Sequence, residues 1–372
     1  MAAGSGKKPA GGKSLARGAA LRDKAGMSDR PPLVPGDHLP PIVLPGEDGE
    51  GFDLMHQGIA GQHRVLLFGT PPSPAVLKEA EAALKARDAM LVVIAGTAPS
   101  RAPGQGPLRL FDQPGKFSRA FGLEGGGAAV ITPRGRLGHV VRGAAEEALR
   151  DALDWVPEPS PPVPIRRGGA PVLLVPDILD PPLIAALLAH WERGEKARDR
   201  VSGGADAAAA AARLKRRADV WLDDRDLYAA FRQRIERRVV PEMARAYRFV
   251  PASFEAPRIG CYDAADAGAF GAHRDNRTPF TAHRRFAMSL NLNTGAYSGG
   301  TLRFPEFGTE EYEPAAGGAA IFGCDLLHEA RPVTQGRRFA IFTFFTDAEG
   351  ARQEQALIRQ QQAAGRAGVS MR

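Results

Sequence analysis

Cysteine is scarce in this sequence, with two among 372 residues. Two thiols cannot build a disulfide framework or a zinc-ribbon site, and they suit a reducing compartment. No apolar run approaches the roughly 18 residues that a membrane-spanning helix needs. The Gly-, Ala- and Lys-rich start lacks the apolar stretch of about 7–15 residues that marks a secretory signal peptide. We therefore expect a cytoplasmic protein with no membrane partner.

Acidic residues are outnumbered, at 42 against 49 Lys and Arg, which gives a net charge of +7. Residues 1–30 hold seven basic and two acidic residues, a net +5, which leaves +2 for the remaining chain. A nearly neutral body argues against nucleic acid as a partner. The first 30 residues are aperiodic, so we expect a disordered basic tail, and Met27 is an alternative translation start.

Composition divides the rest of the chain into four parts. Residues 31–156 alternate strand and helix signals, and residues 157–171 form a Pro-rich linker. Residues 172–347 begin helical and end strand-rich, and residues 348–372 form a tail rich in Gln, Ala and Arg with helical character. The length and this division predict two domains.

The first domain has the signals of an α/β fold. Apolar strands are expected at 65–68 and 90–94, on either side of a helix at 75–87. A hairpin turn at Pro133-Arg134-Gly135 and a closing helix at 146–155 follow. Strand–helix–strand, hairpin and helix is a thioredoxin-like order.

The second domain changes its periodicity along its length. Helices are expected at 177–191 and 226–246, with an Ala/Gly-rich loop at 203–213. After Ala256 apolar residues alternate with a period of two, as in strands. Several short strands with Gly and Pro turns indicate a sandwich or barrel covered by the earlier helices.

The first candidate site is His273-Arg274-Asp275. Residues i and i+2 of a strand point to the same face, so an imidazole and a carboxylate could hold one cation. A third ligand from another strand would complete a facial triad. About half an occurrence of His-x-Asp is expected by chance in this composition, so the motif needs its context.

That context comes from His328 and Arg338. His328 follows an apolar strand at 321–323, and Arg338 opens the last strong strand after a turn at residues 332–336. A guanidinium there could hold the far end of a dicarboxylate with two hydrogen bonds. Arg337 has the opposite strand parity and should face solvent. His283 is expected to be a loop histidine and Cys324 a small core residue.

The order and spacing of His273, Asp275, His328 and Arg338 resemble those of the 2-oxoglutarate- and iron(II)-dependent oxygenases, and most closely those of the prolyl 4-hydroxylase-like group. The resemblance covers roughly residues 172–347 and implies a double-stranded β-helix, a jelly-roll-like barrel with flanking helices. It implies that His273, Asp275 and His328 bind Fe(II) and that Arg338 binds the distal carboxylate of 2-oxoglutarate. Tyr262 lies where the family often lines the co-substrate pocket, although a core aromatic is the equal alternative. The matching segments are Tyr262, His273-Arg274-Asp275, Gly299-Gly300-Thr301-Leu302, Pro314, Gly317, Phe322, residues 328–333 and Gly336-Arg337-Arg338.

The first domain resembles the peroxiredoxin/thioredoxin-like group. The family's reactive cysteine follows a Thr by three positions, and here Thr70 is followed by Ser73. The activating arginine is replaced near Gly126, and residues 1–260 contain no cysteine. A hydroxyl cannot replace a thiolate at neutral pH, so we expect a redoxin-like scaffold without peroxidase activity. The matching segments are Pro35-Gly36-Asp37, residues 51–54, 66–68, Phe111-Asp112 and Phe121-Gly122-Leu123.

By resemblance, the activity would be hydroxylation of a prolyl or other amino-acid-type C–H bond. The reaction would consume O₂ and 2-oxoglutarate and give succinate, with L-ascorbate as the usual reductant. The other substrate is a small molecule or a protein that the sequence does not name. The alternatives are a non-catalytic metal-binding interaction protein, a thiol peroxidase, which Ser73 opposes, and an oxygenase acting on nucleic acid.

Overall fold

The computed structural model describes residues 31–39, 43–54, 59, 61–96, 106–113, 115–159, 168–198 and 215–370. The expected basic tail, most of the Pro-rich linker and the Ala/Gly-rich loop lie outside these residues. The described residues form two compact units, 31–159 and 168–370. In the part of the chain described, no helix has both the length and the apolar character needed to cross a membrane.

The first unit is built on a five-stranded sheet. Its strands are β3 (His63–Phe68), β4 (Ala89–Ala95), β5 (Leu108–Phe111), β6 (Gly127–Ile131) and β7 (Leu137–Arg142), in the order β5-β4-β3-β6-β7. β3, β4 and β5 are parallel, and β6 is antiparallel to β3 and β7. A separate hairpin pairs β1 (Val43–Pro45) with β2 (Gly51–Asp53).

Both faces of this sheet are covered, because the central strands are apolar on both sides. Val65 and Leu67 of β3 pack into one core with helices α1 (Pro74–Ala86) and α3 (Ala145–Trp155). Leu66 and Phe68 point the other way, into a core with α2 (Lys116–Phe121). The expected strands, hairpin and helices are present in the expected order, and β1, β2, β5 and α2 are additional elements that the sequence did not predict. The assignment of this unit to the thioredoxin-like family stays a prediction.

Ser73, which the resemblance to the peroxiredoxin/thioredoxin-like group predicts at the position of a reactive cysteine, has a structural role in this fold. Its hydroxyl accepts a hydrogen bond from the backbone N–H of Val76 at 3.4 Å, and Pro74 occupies the first turn of α1. Both features stabilise a helix N-terminus.

The helices of the second unit lie close to the bounds that the sequence predicts. They are α4 (Pro181–Arg193), α5 (Arg225–Arg234), α6 (Val240–Tyr247) and α7 (Ala348–Ser370). A π-helical segment, Ile235–Val239, joins α5 to α6. Apolar residues of α4 to α6, such as Leu187, Phe231 and Met243, pack on the sheet core.

The strands of the second unit form two sheets. The larger sheet contains β8 (Leu173–Val175), β19 (Ala319–Gly323), β15 (Phe286–Asn291), β21 (Val333–Thr346), β13 (Arg258–Asp263), β11 (Ala218–Trp221) and β9 (Ala197–Arg198) in that order, with β12 (Ser253–Phe254) and β16 (Tyr297–Gly299) also pairing with β21. The smaller sheet has the order β10 (Lys215–Arg216), β14 (Ala269–His273), β20 (His328–Ala330), β17 (Leu302–Arg303) and β18 (Glu311–Tyr312). From β13 to β21 the chain passes back and forth between the sheets, which is the winding of a double-stranded β-helix.

The prediction of a turn at residues 332–336 is wrong. Residues 333–336 begin β21 and pair with β16, with Gly336 opposite Tyr297. Pro and Gly mark both turns and strand irregularities, and here Gly336 adopts a φ of +69° within an irregular strand. Arg338 therefore lies inside β21 instead of opening it, although its parity relative to Arg337 is as predicted.

Candidate metal and co-substrate site

His273, Asp275 and His328 come together at the smaller sheet. His273 ends β14 and lies directly opposite His328, the first residue of β20. The expectation that Asp275 shares a strand with His273 is wrong, because β14 ends first. The turn after β14 is held by a hydrogen bond from the Asp275 N–H to the Cys324 carbonyl at 3.1 Å. The Asp275 carboxylate lies 3.4 Å from the Nε2 atom of each histidine.

The histidine ring orientations suit a metal ion. Nδ1 of His273 lies 2.8 Å from the Gly271 carbonyl, and Nδ1 of His328 lies 3.0 Å from the Leu326 carbonyl. These contacts place the proton on Nδ1, which leaves a lone pair on each Nε2. The three ligand atoms lie within 4.8 Å of one another. A cation would relieve the mutual repulsion of three electron-rich atoms, so the residues fit one.

Burial and charge favour the ligand forms of these groups. Burial lowers the pKa of His328, which favours the neutral imidazole. Burial alone would raise the pKa of Asp275, but the neighbouring side chains of His273 and His328 hold that pKa below its usual value. Two imidazoles and one carboxylate form a facial set of the kind that binds non-haem Fe(II).

Arg338 is buried in β21, at 1% exposure. Its Nη2 donates to Ser289 Oγ at 3.0 Å and to Asn291 Oδ1 at 2.8 Å. Its Nε and Nη1 are buried without a hydrogen-bond partner in the described residues. Unsatisfied buried donors are costly, so this guanidinium is suited to an anionic ligand that pairs with them.

One cavity connects these groups. It has a volume of about 580 Å³ and is lined by His273, Asp275, His328, Arg338 and Tyr262, among others. Tyr262 is buried, and its ring lies 5.4 Å from the Arg338 guanidinium carbon. Tyr262 is thus a core aromatic that also lines this cavity, and its role with the co-substrate stays a prediction.

Sequence reasoning missed the other cationic side chains of this cavity, including Lys215, Arg217, Arg258 and Arg284. Arg217 forms a two-pronged ion pair with Asp219, at 2.5 and 2.8 Å. The alternation of 215, 217 and 219 was a usable signal, because residues of one parity face one side of a strand. Arg284 had no such signal, because it lies in a turn.

His283 lies in a turn, as expected, but it is buried. Its Nε2 lies 3.1 Å from Glu255 Oε1, and Glu354 of α7 completes a group of possible ligand atoms. Arg284 also binds Glu255, at 2.5 and 2.8 Å. The guanidinium already neutralises Glu255, so we interpret this group as structural. Cys324 is buried, as predicted.

About half of the chain is similar in sequence to bacterial PKHD-type hydroxylases. A PKHD-type hydroxylase of Pseudomonas putida is 27% identical over 189 residues, which cover 48% of this chain and 78% of that protein. One from Saccharophagus degradans is 28% identical over 117 residues, which cover 29% of this chain and 51% of that protein. No protein-family model matches the chain.

Two solved structures are also similar to the chain. A Pseudomonas putida prolyl-4-hydroxylase matches with a TM-score of 0.36 and 21% identity, over 48% of this chain and 93% of its own. A Trichoplax adhaerens prolyl hydroxylase, in complex with a hypoxia inducible factor peptide fragment, matches with a TM-score of 0.40 and 14% identity, over 49% and 86%. The sequence similarity to these hydroxylases supports an oxygenase enzyme that depends on Fe(II) and 2-oxoglutarate.

Proposed function

We propose that residues 168–370 form a dioxygenase that hydroxylates a prolyl or other amino-acid-type C–H bond and converts 2-oxoglutarate to succinate and CO₂. One observation carries the proposal: the buried Arg338, with two unpaired donors, shares a cavity with a His–Asp–His ligand set. A dicarboxylate co-substrate and a metal ion are the two components that these groups match. Fe(II), when bound, would supply the redox chemistry that couples decarboxylation to hydroxylation.

The residues of the chain have distinct roles in this proposal. His273, Asp275 and His328 would hold Fe(II) and leave the other half of its coordination sphere to ligands. Arg338 would hold the distal carboxylate of 2-oxoglutarate, while Ser289 and Asn291 fix its guanidinium from behind. Tyr262 would form part of the wall beside that carboxylate. The aromatic residues of the cavity would exclude water from the reacting C–H bond.

The test is succinate formation by the full chain. Purified protein is incubated with Fe(II), 2-oxoglutarate and O₂, with ascorbate as the reductant that the family resemblance implies. Slow succinate production without a second substrate is expected, and a panel of prolyl peptides and free amino acids should accelerate it. If the protein binds iron but never forms succinate with any of these substrates, the non-catalytic metal-binding alternative is favoured.

The first unit would contribute binding, dimerisation or presentation of the substrate. Ser73 caps a helix instead of supplying a thiol, so no peroxidase chemistry is proposed for it.

A further inference from the structure

A buried ion pair lies beside the cavity. Arg217 lines the cavity, and it donates from Nε and Nη2 to the two carboxylate oxygens of Asp219, at 2.5 and 2.8 Å. The two side chains are 4% and 3% exposed. A two-pronged pair of this kind fixes the plane of the guanidinium. The proposed function gives neither residue a role.

The third nitrogen of this guanidinium is directed at Tyr262. Nη1 of Arg217 lies 3.2 Å from the Tyr262 hydroxyl oxygen. A guanidinium can only donate, so the tyrosine oxygen accepts this hydrogen bond and its own proton must point elsewhere. Among the residues that the structure describes, the Tyr262 hydroxyl makes no other hydrogen bond. Tyr262 is 2% exposed, so this proton is a buried donor that a ligand could satisfy.

Tyr262 and Arg338 face the same part of the cavity. They are direct partners across the antiparallel pair of β13 and β21, and the Tyr262 ring lies 5.4 Å from the Arg338 guanidinium carbon. Residues directly opposite each other in paired strands have their side chains on one face of the sheet. The Tyr262 proton therefore lies on the same face as the two unpaired donors of Arg338, Nε and Nη1. A carboxylate has acceptor sites enough to bind both residues at once.

A glycine leaves the room that the ion pair occupies. Gly260 lies directly opposite Asp219 in the pair of β11 and β13. A Cβ at this position would lie 2.7 Å from Arg217 Cδ and 2.7 Å from Asp219 Oδ1. Tyr262 follows two residues later with the same strand parity, so its side chain shares a face with the ion pair. A larger residue at position 260 would displace Arg217 from its place between Asp219 and Tyr262.

We propose that Arg217 is a positioning residue for the co-substrate: held by Asp219, it occupies the oxygen of the Tyr262 hydroxyl and so turns the Tyr262 proton toward the distal carboxylate of 2-oxoglutarate. This inference rests on the proposed function, since it adds a residue to the site that would hold the co-substrate. Arg217 acts through Tyr262 and not on the co-substrate itself. Without Arg217 the hydroxyl could rotate, and its hydrogen bond to the carboxylate would be poorly aligned and weaker.

The experiment is a double-mutant cycle on co-substrate binding. The full chain is loaded with Zn(II), which has no redox chemistry, and calorimetry measures the affinity for 2-oxoglutarate without turnover. Tyr262→Phe keeps the ring and should weaken binding about tenfold or more, because a hydrogen bond to a charged group is lost. Arg217→Met should weaken binding about threefold or more, because the hydroxyl remains but is misaligned. In the Tyr262→Phe background, Arg217→Met should have little further effect, since no hydroxyl is left to orient.

The cycle separates a positioning role from a merely structural one. If Arg217→Met weakens 2-oxoglutarate equally with and without the Tyr262 hydroxyl, Arg217 acts through packing or charge, and the proposal is overturned. Arg216→Met removes the same charge from an exposed neighbour and should leave the affinity unchanged. A loss in Arg216→Met as large as that in Arg217→Met would also overturn the proposal.

Thermal unfolding shows whether each variant is folded. If Arg217→Met is not folded, Gly260→Ala takes its place in the cycle, because one added methyl group displaces the Arg217 side chain while its charge stays paired with Asp219. The same outcomes then apply, with a loss of affinity that depends on the Tyr262 hydroxyl expected and an equal loss in its absence contradicting the proposal.

The two proposals fail separately. Coupling between Arg217 and Tyr262 in 2-oxoglutarate binding, without succinate formation, would keep the positioning role and reject the dioxygenase. Succinate formation with independent effects of the two substitutions would do the reverse. A wild-type protein that binds no 2-oxoglutarate would reject both.

Discussion

His273 and His328 are direct partners across the antiparallel pair of β14 and β20, with ring centroids 4.3 Å apart. This pairing brings together two residues that are 55 positions apart in the sequence. It makes the relative position of the two rings a property of the sheet.

The first prediction concerns that ligand set. His328→Ala removes one of three proposed protein ligands. Loss of a residue that only supports a metal ligand typically costs 10–100-fold in affinity, so loss of a ligand should weaken Fe(II) binding by about a hundredfold or more. The amount of iron that stays bound per chain after desalting measures this loss of affinity. Succinate formation by His328→Ala should fall to the background rate. His139→Ala, on β7 of the first unit, removes a half-exposed histidine and should leave both unchanged.

The second prediction separates two adjacent arginines. Arg338 is buried in the cavity, whereas the Arg337 side chain is 47% exposed. Arg338→Ala should keep iron and raise the 2-oxoglutarate requirement roughly ten- to a hundredfold, since a charge-assisted hydrogen bond contributes about 1.5–3 kcal/mol. Arg337→Ala should be mild. The measurement is the rate of succinate formation as a function of 2-oxoglutarate concentration. A larger effect of Arg337→Ala than of Arg338→Ala would show that the assignment to Arg338 is wrong.

The third prediction uses the glycine that packs on Arg338. A Cβ at Gly300 would lie 2.9 Å from Arg338 Cδ and 2.9 Å from Val333 Cγ2, and the residue has a φ of +67°. Gly295 also has a positive φ, +94°, but a Cβ there has no atom within 4 Å. Gly300→Ala and Gly295→Ala should both lose about 1–2 kcal/mol of stability from backbone strain. Only Gly300→Ala should also raise the 2-oxoglutarate concentration needed for half-maximal succinate formation. An equal rise in Gly295→Ala would contradict the packing argument.

Much of this site could be predicted from residue order alone. The parity of Arg337 and Arg338 follows from strand alternation, which is a local property of the sequence. The grouping of His273, Asp275 and His328 was predicted through the resemblance to the oxygenases. The start of β21 could not be predicted, because its partner, β16, lies far away in the chain and the Pro and Gly signals around it also mark turns. The burial of His283 could not be predicted either, since it depends on Glu255 and on α7.

The fourth prediction is a pH dependence of stability. Burial by itself would raise the pKa of Glu255, but the hydrogen bond from His283 and the charge of Arg284 hold it below its usual value. A carboxylate with a lowered pKa in the folded state stabilises the fold above its unfolded pKa, and this contribution is lost as the pH falls through the folded pKa. The difference in the free energy of unfolding between wild type and Glu255→Gln should therefore shrink below about pH 4.5.

Denaturant titrations between neutral and acid pH measure this difference. Glu195→Gln removes an exposed carboxylate and controls for a general charge effect. If the difference in the free energy of unfolding between wild type and Glu255→Gln stays constant down to acid pH, the assigned role of Glu255 is contradicted.

The fifth prediction concerns peroxide. The full chain should not consume hydrogen peroxide in a thiol-dependent assay. Burial raises the pKa of Cys261 to about 12 and that of Cys324 further, so neither is a reactive thiolate. Ser73→Cys should give little peroxide turnover, because the resemblance to the peroxiredoxins implies that the activating arginine is replaced as well. Efficient peroxide turnover by wild type would restore the thiol-peroxidase alternative.

The most direct test of the central claim is the isotopic composition of succinate formed under oxygen-18 gas, with Fe(II) and 2-oxoglutarate. A dioxygenase splits O₂ between its two organic substrates, so the account predicts one oxygen-18 atom in the succinate carboxylate, and no labelled succinate from His328→Ala. Unlabelled succinate, or labelled succinate formed equally by wild type and His328→Ala, would contradict it.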